Sequence, residues 1–180
     1  MIEFSDFIKH QADTEYFGNW IISEFKELYR EKYDEILEEI NSIPLISSKE
    51  RLLILQECIE EAYLDLEKNT EKKLDENIEQ IIETEKNWLV SYMAKIGILY
   101  TVSNSLAKNV KFMPIAEKNS YKQIIPQMNS RIKRTTENVL KIAYLTKEPS
   151  ENITERLERN YKRYENYIET DLMTMNSAIF

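Results

Sequence analysis

The sequence contains very few of the residues on which many catalytic and stabilising sites depend. Its 180 residues include one cysteine, one histidine, two glycines and four prolines. A single cysteine, Cys58, cannot form an internal disulfide bond, and a single histidine, His10, excludes a histidine-rich zinc site and the usual Glu-x-x-His di-iron bundle. Gly18 and Gly97 lie far apart in the sequence, which excludes a glycine-rich phosphate-binding loop.

The sequence also lacks the features that direct a chain into or across a membrane. It has no run of about 18 uncharged apolar residues, and residues 1–20 have neither the basic start nor the apolar stretch of a secretory signal. These absences favour a cytoplasmic protein with no membrane contact. The glycosylation sequence at Asn152 therefore carries little weight.

The histidine, the cysteine and the carboxylates form no recognisable catalytic pattern. His10 lies in a poorly patterned segment and is interpreted as a surface or partly buried residue, not as the base of a serine triad. Glutamates recur at helical spacing, which usually indicates a solvated helix face. Cys58 lies beside an apolar stripe and is interpreted as a small core residue. The sequence thus predicts a non-enzymatic protein with no catalytic residue, metal or cofactor.

The residues that are abundant predict an all-α fold. Apolar side chains recur at steps of three and four, and no segment shows the alternation of a β-strand. The longest predicted helix kinks near Gly97 or projects from the body. The prediction is an elongated bundle of about six to seven helices with one long central helix. Its main helical segments are residues 19–41, 47–66 (opened by a Ser47–Glu50 capping box), 71–110, 127–144, 150–161 and 164–180.

Charge divides the chain into two regions. Residues 1–87 contain 23 acidic and 10 basic side chains, whereas residues 88–180 contain 9 acidic and 14 basic ones. The formal net charge of −8 is therefore the sum of an acidic half and a basic half, which are expected to face different partners. We predict an acidic helical region with the long central helix over 1–110 and a basic helical region over 111–180.

Basic and aromatic side chains are interleaved in the second region. Cations beside aromatic rings can hold phosphates and stack bases. However, Glu155 and Glu158 lie four residues before Arg159 and Lys162, so ion pairs within the helix could satisfy these cations. A salt-bridged helix face is favoured over a nucleic-acid surface, and both interpretations are kept. The candidate DNA- or partner-contact residues are Arg131, Lys133, Arg134, Lys141, Arg156, Arg159, Lys162, Arg163, Tyr161 and Tyr164.

The order of these features resembles the minor head proteins of tailed bacteriophages, the MuF-like head-morphogenesis family. The resemblance spans most of the chain. It rests on the helix YREKYDEILEEINSI, the turn PLISSKERL, the long middle segment and the stretch from Ser130 to Asn176. In that family an Arg-Ile pair opens a helix, a turn introduces a short helix, and a final helix begins with a basic-Thr-Glu motif followed by Asn.

Individual positions match this family pattern to different degrees. Arg131 and Ile132 match the Arg-Ile pair, while Thr170 and, loosely, Asn176 match the Thr and Asn of the final motif. Asp171 stands where Glu is usual. The sequence departs from the pattern at two further places, with Glu169 in place of the basic residue and Pro149-Ser150 in place of Gly-Ser.

The resemblance implies a structural role. Members of that family are low-copy proteins at the portal vertex inside the procapsid, and they affect head assembly and DNA entry or exit. It therefore implies docking to a portal or capsid protein, contact with packaged DNA and a location inside the phage head. The alternative is a small cytoplasmic acidic module, immunity- or antitoxin-like, that neutralises a basic protein partner. The apolar stripe of the closing helix docks either on its own domain or on a segment past Phe180.

Overall fold

A computed structural model describes residues 4–43, 45–101, 110, 114–116 and 119–179. These residues form four long helices and one short antiparallel strand pair, so the all-α prediction is confirmed. The prediction of six to seven helices around one long central helix is wrong for the part of the chain described. The elements are α1 (Phe4–Asn41), α2 (Lys49–Lys95), β1 (Pro114–Ala116), β2 (Asn119–Ser120), α3 (Tyr121–Thr146) and α4 (Ser150–Ile179).

Helix α2 is continuous where two helices were predicted. The predicted break around Asn69 and Thr70 does not occur, because both polar side chains bond within the helix. The Thr70 hydroxyl donates to the Leu66 carbonyl at 2.7 Å, and the Asn69 amide donates to Asp65 at 3.2 Å. With no glycine or proline in this stretch, the backbone ladder has no reason to stop.

The end of α2 is set by Gly97, not by the predicted limit at Val110. Gly97 has a φ of +79°, in the left-handed region that glycine adopts without a Cβ penalty. Its N–H donates to the Ala94 carbonyl at 3.0 Å, and the Ile98 N–H donates to the Met93 carbonyl at 2.9 Å. These two bonds form a Schellman cap, which ends a helix. The predicted helical residues 102–109, with Leu106, lie outside the described residues.

Serine caps begin α2 and α3. Ser48, one residue after the predicted Ser47, accepts a bond from the Arg51 N–H at 3.3 Å and caps α2. Ser120 caps α3 in a capping box with Gln123, whose side-chain oxygen accepts from the Ser120 N–H at 2.8 Å. Because that cap precedes the predicted start, α3 begins six residues earlier than the apolar periodicity indicated.

The four helices pack as a ring in the order α1, α2, α3, α4 and back to α1. Ion pairs bridge three of the four helix–helix edges, and each exposed pair stabilises the fold by about 0–1 kcal/mol. The pairs therefore show which helices are neighbours, but they contribute little to the stability of the ring. Among the described residues they include Glu24–Lys73 (2.8 Å), Lys32–Asp65 (2.7 Å) and Asp6–Lys95 (2.6 Å) between α1 and α2, Glu71–Lys122 (3.4 Å) and Glu60–Lys133 between α2 and α3, and Arg30–Glu158 (3.3 Å) and Lys26–Glu169 (2.5 Å) between α1 and α4.

One hydrophobic core fills the ring, with side chains from all four helices and from both charge regions. Burying a large aliphatic or aromatic side chain stabilises a fold by about 1.5–3 kcal/mol, so this core supplies most of the stability. The most completely buried large side chains are Phe25, Ile36, Ile40, Ile46, Leu55, Ile59, Leu66, Ile78, Ile81, Ile125 and Leu140.

A chain of hydrogen bonds crosses this core. The Tyr29 hydroxyl on α1 donates to the side-chain oxygen of Asn129 on α3, and the Asn129 amide donates to the Thr70 hydroxyl on α2 at 3.2 Å. All three residues are buried. Burial raises the pKa of Tyr29 well above its ordinary value, with smaller contributions in the same direction from Tyr63 and Asp171. The chain connects α1 with α3, which face each other across the ring.

Helices α1 and α2 continue past the core as a two-helix extension, here called the arm (residues 4–17 and 82–95). Lys122, in the first turn of α3, pairs with Glu71, so α3 begins beside the middle of α2. No described side chain in either range of the arm is fully buried. Two helices alone cannot enclose a core, so the arm is expected to be less stable than the ring.

Removing the central amide of the hydrogen-bond chain should destabilise the ring. Asn129→Ala leaves the Tyr29 and Thr70 hydroxyls without their partner and opens a small cavity. We expect the free energy of unfolding to fall by about 2–4 kcal/mol. Urea unfolding followed by circular dichroism measures this change. Asn138→Ala, on the exposed face of the same helix, should lower the free energy of unfolding by less than about 1 kcal/mol. Equal losses in the two variants would contradict the role of Asn129 in a buried hydrogen-bond chain.

The buried tyrosines should make the protein sensitive to alkali. Burial raises the pKa of Tyr63 to about 12, although its hydrogen bond with Thr136 opposes the shift. The unfolded chain loses this proton near pH 10, so the contribution is complete below about pH 10 and is lost as pH rises toward the folded pKa.

The Tyr63→Phe variant tests this dependence. Between about pH 10 and pH 12, the slope of unfolding free energy against pH should become shallower by about one proton, or 1.4 kcal/mol per pH unit. Urea titrations at a series of pH values measure it. Tyr16→Phe, whose ring is exposed, should leave the slope as it is. An unchanged slope in Tyr63→Phe would show that this phenol does not remain neutral in the fold.

Candidate interaction surfaces

Two of the candidate cations on α3 are held by carboxylates. Lys133 pairs with Glu60 of α2, and Lys141 lies 3.6 Å from Glu137, four residues earlier. Arg131 and Arg134 are exposed, and no described carboxylate lies within ion-pair distance of Arg134. Half of the four candidate cations on α3 are therefore committed to the protein's own carboxylates.

On α4 the cations differ from the predicted arrangement. Arg156 donates to both carboxylate oxygens of Glu148 at 2.8 Å. The predicted pairs of Glu155 with Arg159 and of Glu158 with Lys162 are not formed among the described residues. Glu158 instead binds Arg30 of α1 at 3.3 Å. Arg159, Lys162 and Arg163 remain exposed. These three residues and Arg134 are here called the free cations.

The two candidate tyrosines serve packing. Tyr161 is 4% exposed, and its ring stacks on Tyr33 at 4.5 Å between ring centres. The Arg30 guanidinium lies 5.2 Å from the same ring. Burial also raises the pKa of Tyr161. Tyr164 is half-buried, and its hydroxyl lies 2.5 Å from that of Thr135 on α3. The expected base stacking is therefore not available to Tyr161, which is a core residue.

Two of the family-motif positions, Arg131 and Asp171, interact between α3 and α4. Ile132 is buried in the core, and Arg131 lies close enough to Asp171 to lower the pKa of that carboxyl. Burial has the larger effect and raises the Asp171 pKa. Thr170 is exposed and donates to the Asn166 carbonyl at 2.9 Å. The side chain of Asn176 lies outside the described residues, as do those of Met175 and Ile179 in the predicted closing stripe.

An acidic surface surrounds Cys58 on the α1–α2 side of the ring. The thiol is only partly buried, so Cys58 is not the core residue that the sequence indicated. Burial raises its pKa most, and the carboxylates of Glu39, Glu61 and Glu35 raise it further. A thiol with a raised pKa is a poor nucleophile. The raised pKa of Cys58 therefore indicates a locally negative surface, which these three glutamates define.

A groove that sequence reasoning missed lies at the base of the arm. It encloses about 600 Å³ between α1, the end of α2 and the C-terminal part of α4. His10 stacks on Trp88 with ring centres 4.0 Å apart and planes 7° apart. Its Nε2 lies 3.1 Å from both carboxylate oxygens of Glu85, and only Oε2 makes a hydrogen bond. The opposite face of this groove is completed by Met173, which is 51% exposed.

Only part of the groove had a signal in the sequence. Phe7, His10, Thr14 and Gly18 follow one another at steps of three and four, which places them on one face of a helix. That spacing could have identified a stripe on α1. It could not have paired the stripe with Glu85, which is 75 residues away from His10 in the chain. His10 is partly buried, as interpreted, but its stacking on Trp88 was not foreseen.

No family model, curated protein or solved structure matches this chain. Within the described residues, no helix is both long enough and apolar enough to cross a lipid bilayer.

The aromatic contact should hold the arm together. In Trp88→Ala, the stacking on His10 and Tyr92 and the edge contact with Phe7 are lost. Amide hydrogen exchange in residues 5–17 should therefore accelerate at least about tenfold, while exchange in the ring stays unchanged. Mass spectrometry of peptic fragments gives both rates. Asn87→Ala, at the exposed neighbouring position, is the control, and a uniform acceleration over the whole chain would refute a separate arm.

Proposed function

We propose that this chain is a non-enzymatic structural and assembly protein of a phage or prophage head, which docks on a portal or capsid protein. The observation that carries the proposal is the segregation of charge around the ring. Helices α1 and α2 together contain 22 acidic and 11 basic side chains, α3 contains one acidic and five basic ones, and α4 contains six acidic and four basic ones. Opposite sides of one rigid body can thus engage different partners.

The free cations give the α3–α4 side its binding character. Arg134, Arg159, Lys162 and Arg163 have no described carboxylate at ion-pair distance, so their charge is available to an acidic partner or to DNA phosphates. Arginine also binds carboxylates and phosphates with two parallel hydrogen bonds, which favours oriented docking. With few cations involved, any DNA contact should be weak and sensitive to salt.

The pairing of the family-motif positions also supports this proposal. Arg131 and Asp171 lie 40 positions apart in the chain and interact electrostatically between α3 and α4. A half-buried carboxyl whose pKa is raised by burial costs stability when it is charged. Residues that oppose stability in this way are often kept for binding. Asp171 is therefore the motif position that we assign to partner docking.

A co-purification experiment tests the proposed function. Tagged protein is produced together with portal and capsid proteins from the same prophage and recovered at low and moderate salt. Arg159→Glu with Arg163→Glu should reduce recovery of the partner at least about tenfold, because two favourable contacts become repulsive.

The matched control is Lys49→Glu with Lys68→Glu, which makes the same charge change on exposed residues of α2. It should change recovery less than about twofold. No recovery of portal or capsid protein by the unaltered chain, or an equal effect of both double variants, would overturn the proposal.

The acidic surface around Cys58 favours a second candidate function, a cytoplasmic acidic module that neutralises a basic protein. Glu39 and Glu61 raise the pKa of the thiol there, and Glu35, which also contributes, is paired with Lys32 at 2.9 Å. In that case the same experiment recovers one small basic protein. Glu39→Lys with Glu61→Lys would then abolish recovery, and the substitutions at Arg159 and Arg163 would not.

A further inference from the structure

We infer that the groove at the base of the arm binds an amphipathic helix of a partner protein, one that presents a lysine or arginine beside apolar side chains. The groove is distinct from the free cations and from the acidic surface around Cys58. The inference goes beyond the proposed function, because it holds whether or not the partner belongs to a phage head.

The surroundings of the arm favour a helical occupant. In the ring, α1 and α2 are each packed by a further helix, and the resulting interior is closed. In the arm α3 is absent, because it begins beside Glu71, and α4 approaches at the base, where Met173 lines the groove. The α1 stripe that lines the groove runs from Phe7 to Ile22. At 1.5 Å per residue this is about 22 Å, or four helical turns, which matches the length of a helix seated in a groove.

Apolar side chains line the groove and remain exposed. Phe7 is 50% exposed although its ring lies edge-on to Trp88 with ring centres 6.3 Å apart, and Met173 is 51% exposed. Gly18 also lines the groove, but it is itself buried and adds no side chain to the lining. Exposed apolar side chains around a concave surface are typical of a protein-binding site.

The charges of the lining residues indicate which charge a partner helix should carry. Glu15 and Glu85 line the groove, and none of its described lining residues is a lysine or an arginine. His10 is the one candidate cation, and it already contacts Glu85. An acidic helix would place carboxylates against carboxylates, whereas a basic one would pair with them. We therefore assign the site to a basic amphipathic helix.

Designed peptides test the inference on the full-length chain. The probes are a 16-residue amphipathic leucine–lysine helix and its leucine–glutamate counterpart, each with a fluorescent label. Fluorescence anisotropy should show one-to-one binding of the lysine peptide and at least about tenfold weaker binding of the glutamate peptide. Hydrogen exchange should show protection confined to residues 7–22, 85–88 and the segment around Met173.

Two variants of the groove are compared with one control. Glu15→Gln with Glu85→Gln removes both carboxylates, and Thr14→Arg fills the groove with a cation from a half-buried position on α1. Each should weaken binding of the lysine peptide at least about tenfold. Glu31→Gln with Glu38→Gln makes the same charge change at exposed positions farther along α1, and it should weaken binding less than about twofold. Thr14→Arg keeps the contact between His10 and Glu85. It therefore distinguishes a groove that is blocked to the peptide from an arm that has lost its structure.

Several results would overturn the inference. Equal weakening by the groove and control variants would mean that the peptide responds only to the net charge of −8. Binding of neither peptide, or protection outside the groove, would equally refute it. Sedimentation that shows a dimer dissociated by Thr14→Arg would assign the groove to a second copy of the chain. If the groove variants lose peptide binding but still recover portal or capsid protein, both proposals are supported, because the groove and the free cations are separate surfaces.

Discussion

The hydrogen-bond chain from Tyr29 through Asn129 to Thr70 fixes how the helices are arranged. Aliphatic side chains can pack in several registers, because their contacts are not directional. A buried amide between two hydroxyls has one satisfactory arrangement, and sliding any helix by one turn would leave buried polar groups without partners. The register of α1, α2 and α3 therefore follows from this one chain of contacts. The positions of the arm and of Arg134 on α3 depend on that register in turn.

The fold class could be predicted from the sequence, but the number of helices could not. Periodicity and the near absence of glycine and proline were sufficient for an all-α fold. The helix boundaries depended on local bonds that composition does not reveal. Thr70 and Asn69 resemble a loop in sequence, yet they bond to their own helix and allow it to continue. Gly97 resembles a kink, yet the Schellman bonds around it make it an end.

Long-range pairing explains why the interaction surfaces were harder to predict. The expected partner of Lys162 was Glu158, four residues earlier, but Arg30 of α1 takes that carboxylate. Which cation binds a carboxylate depends on which helices are neighbours, and a single sequence does not reveal this. Tyr161 was a candidate contact residue because basic side chains flank it, but its position on the inner face of α4 places it against Tyr33. The family-motif positions, the phage-head role and the two charge regions remain predictions.

The distribution of charge around the ring also affects how the molecule meets its partners. Since acidic side chains concentrate on α1 and α2 and basic ones on α3, the protein is an electric dipole as well as an anion. In the field of a charged surface such a body rotates before it makes contact, so that productive orientations occur more often than random collision would give. The advantage diminishes as ions screen the field over about 8–10 Å at physiological strength. Association is then governed as much by the ionic medium as by the fit of the surfaces that finally touch.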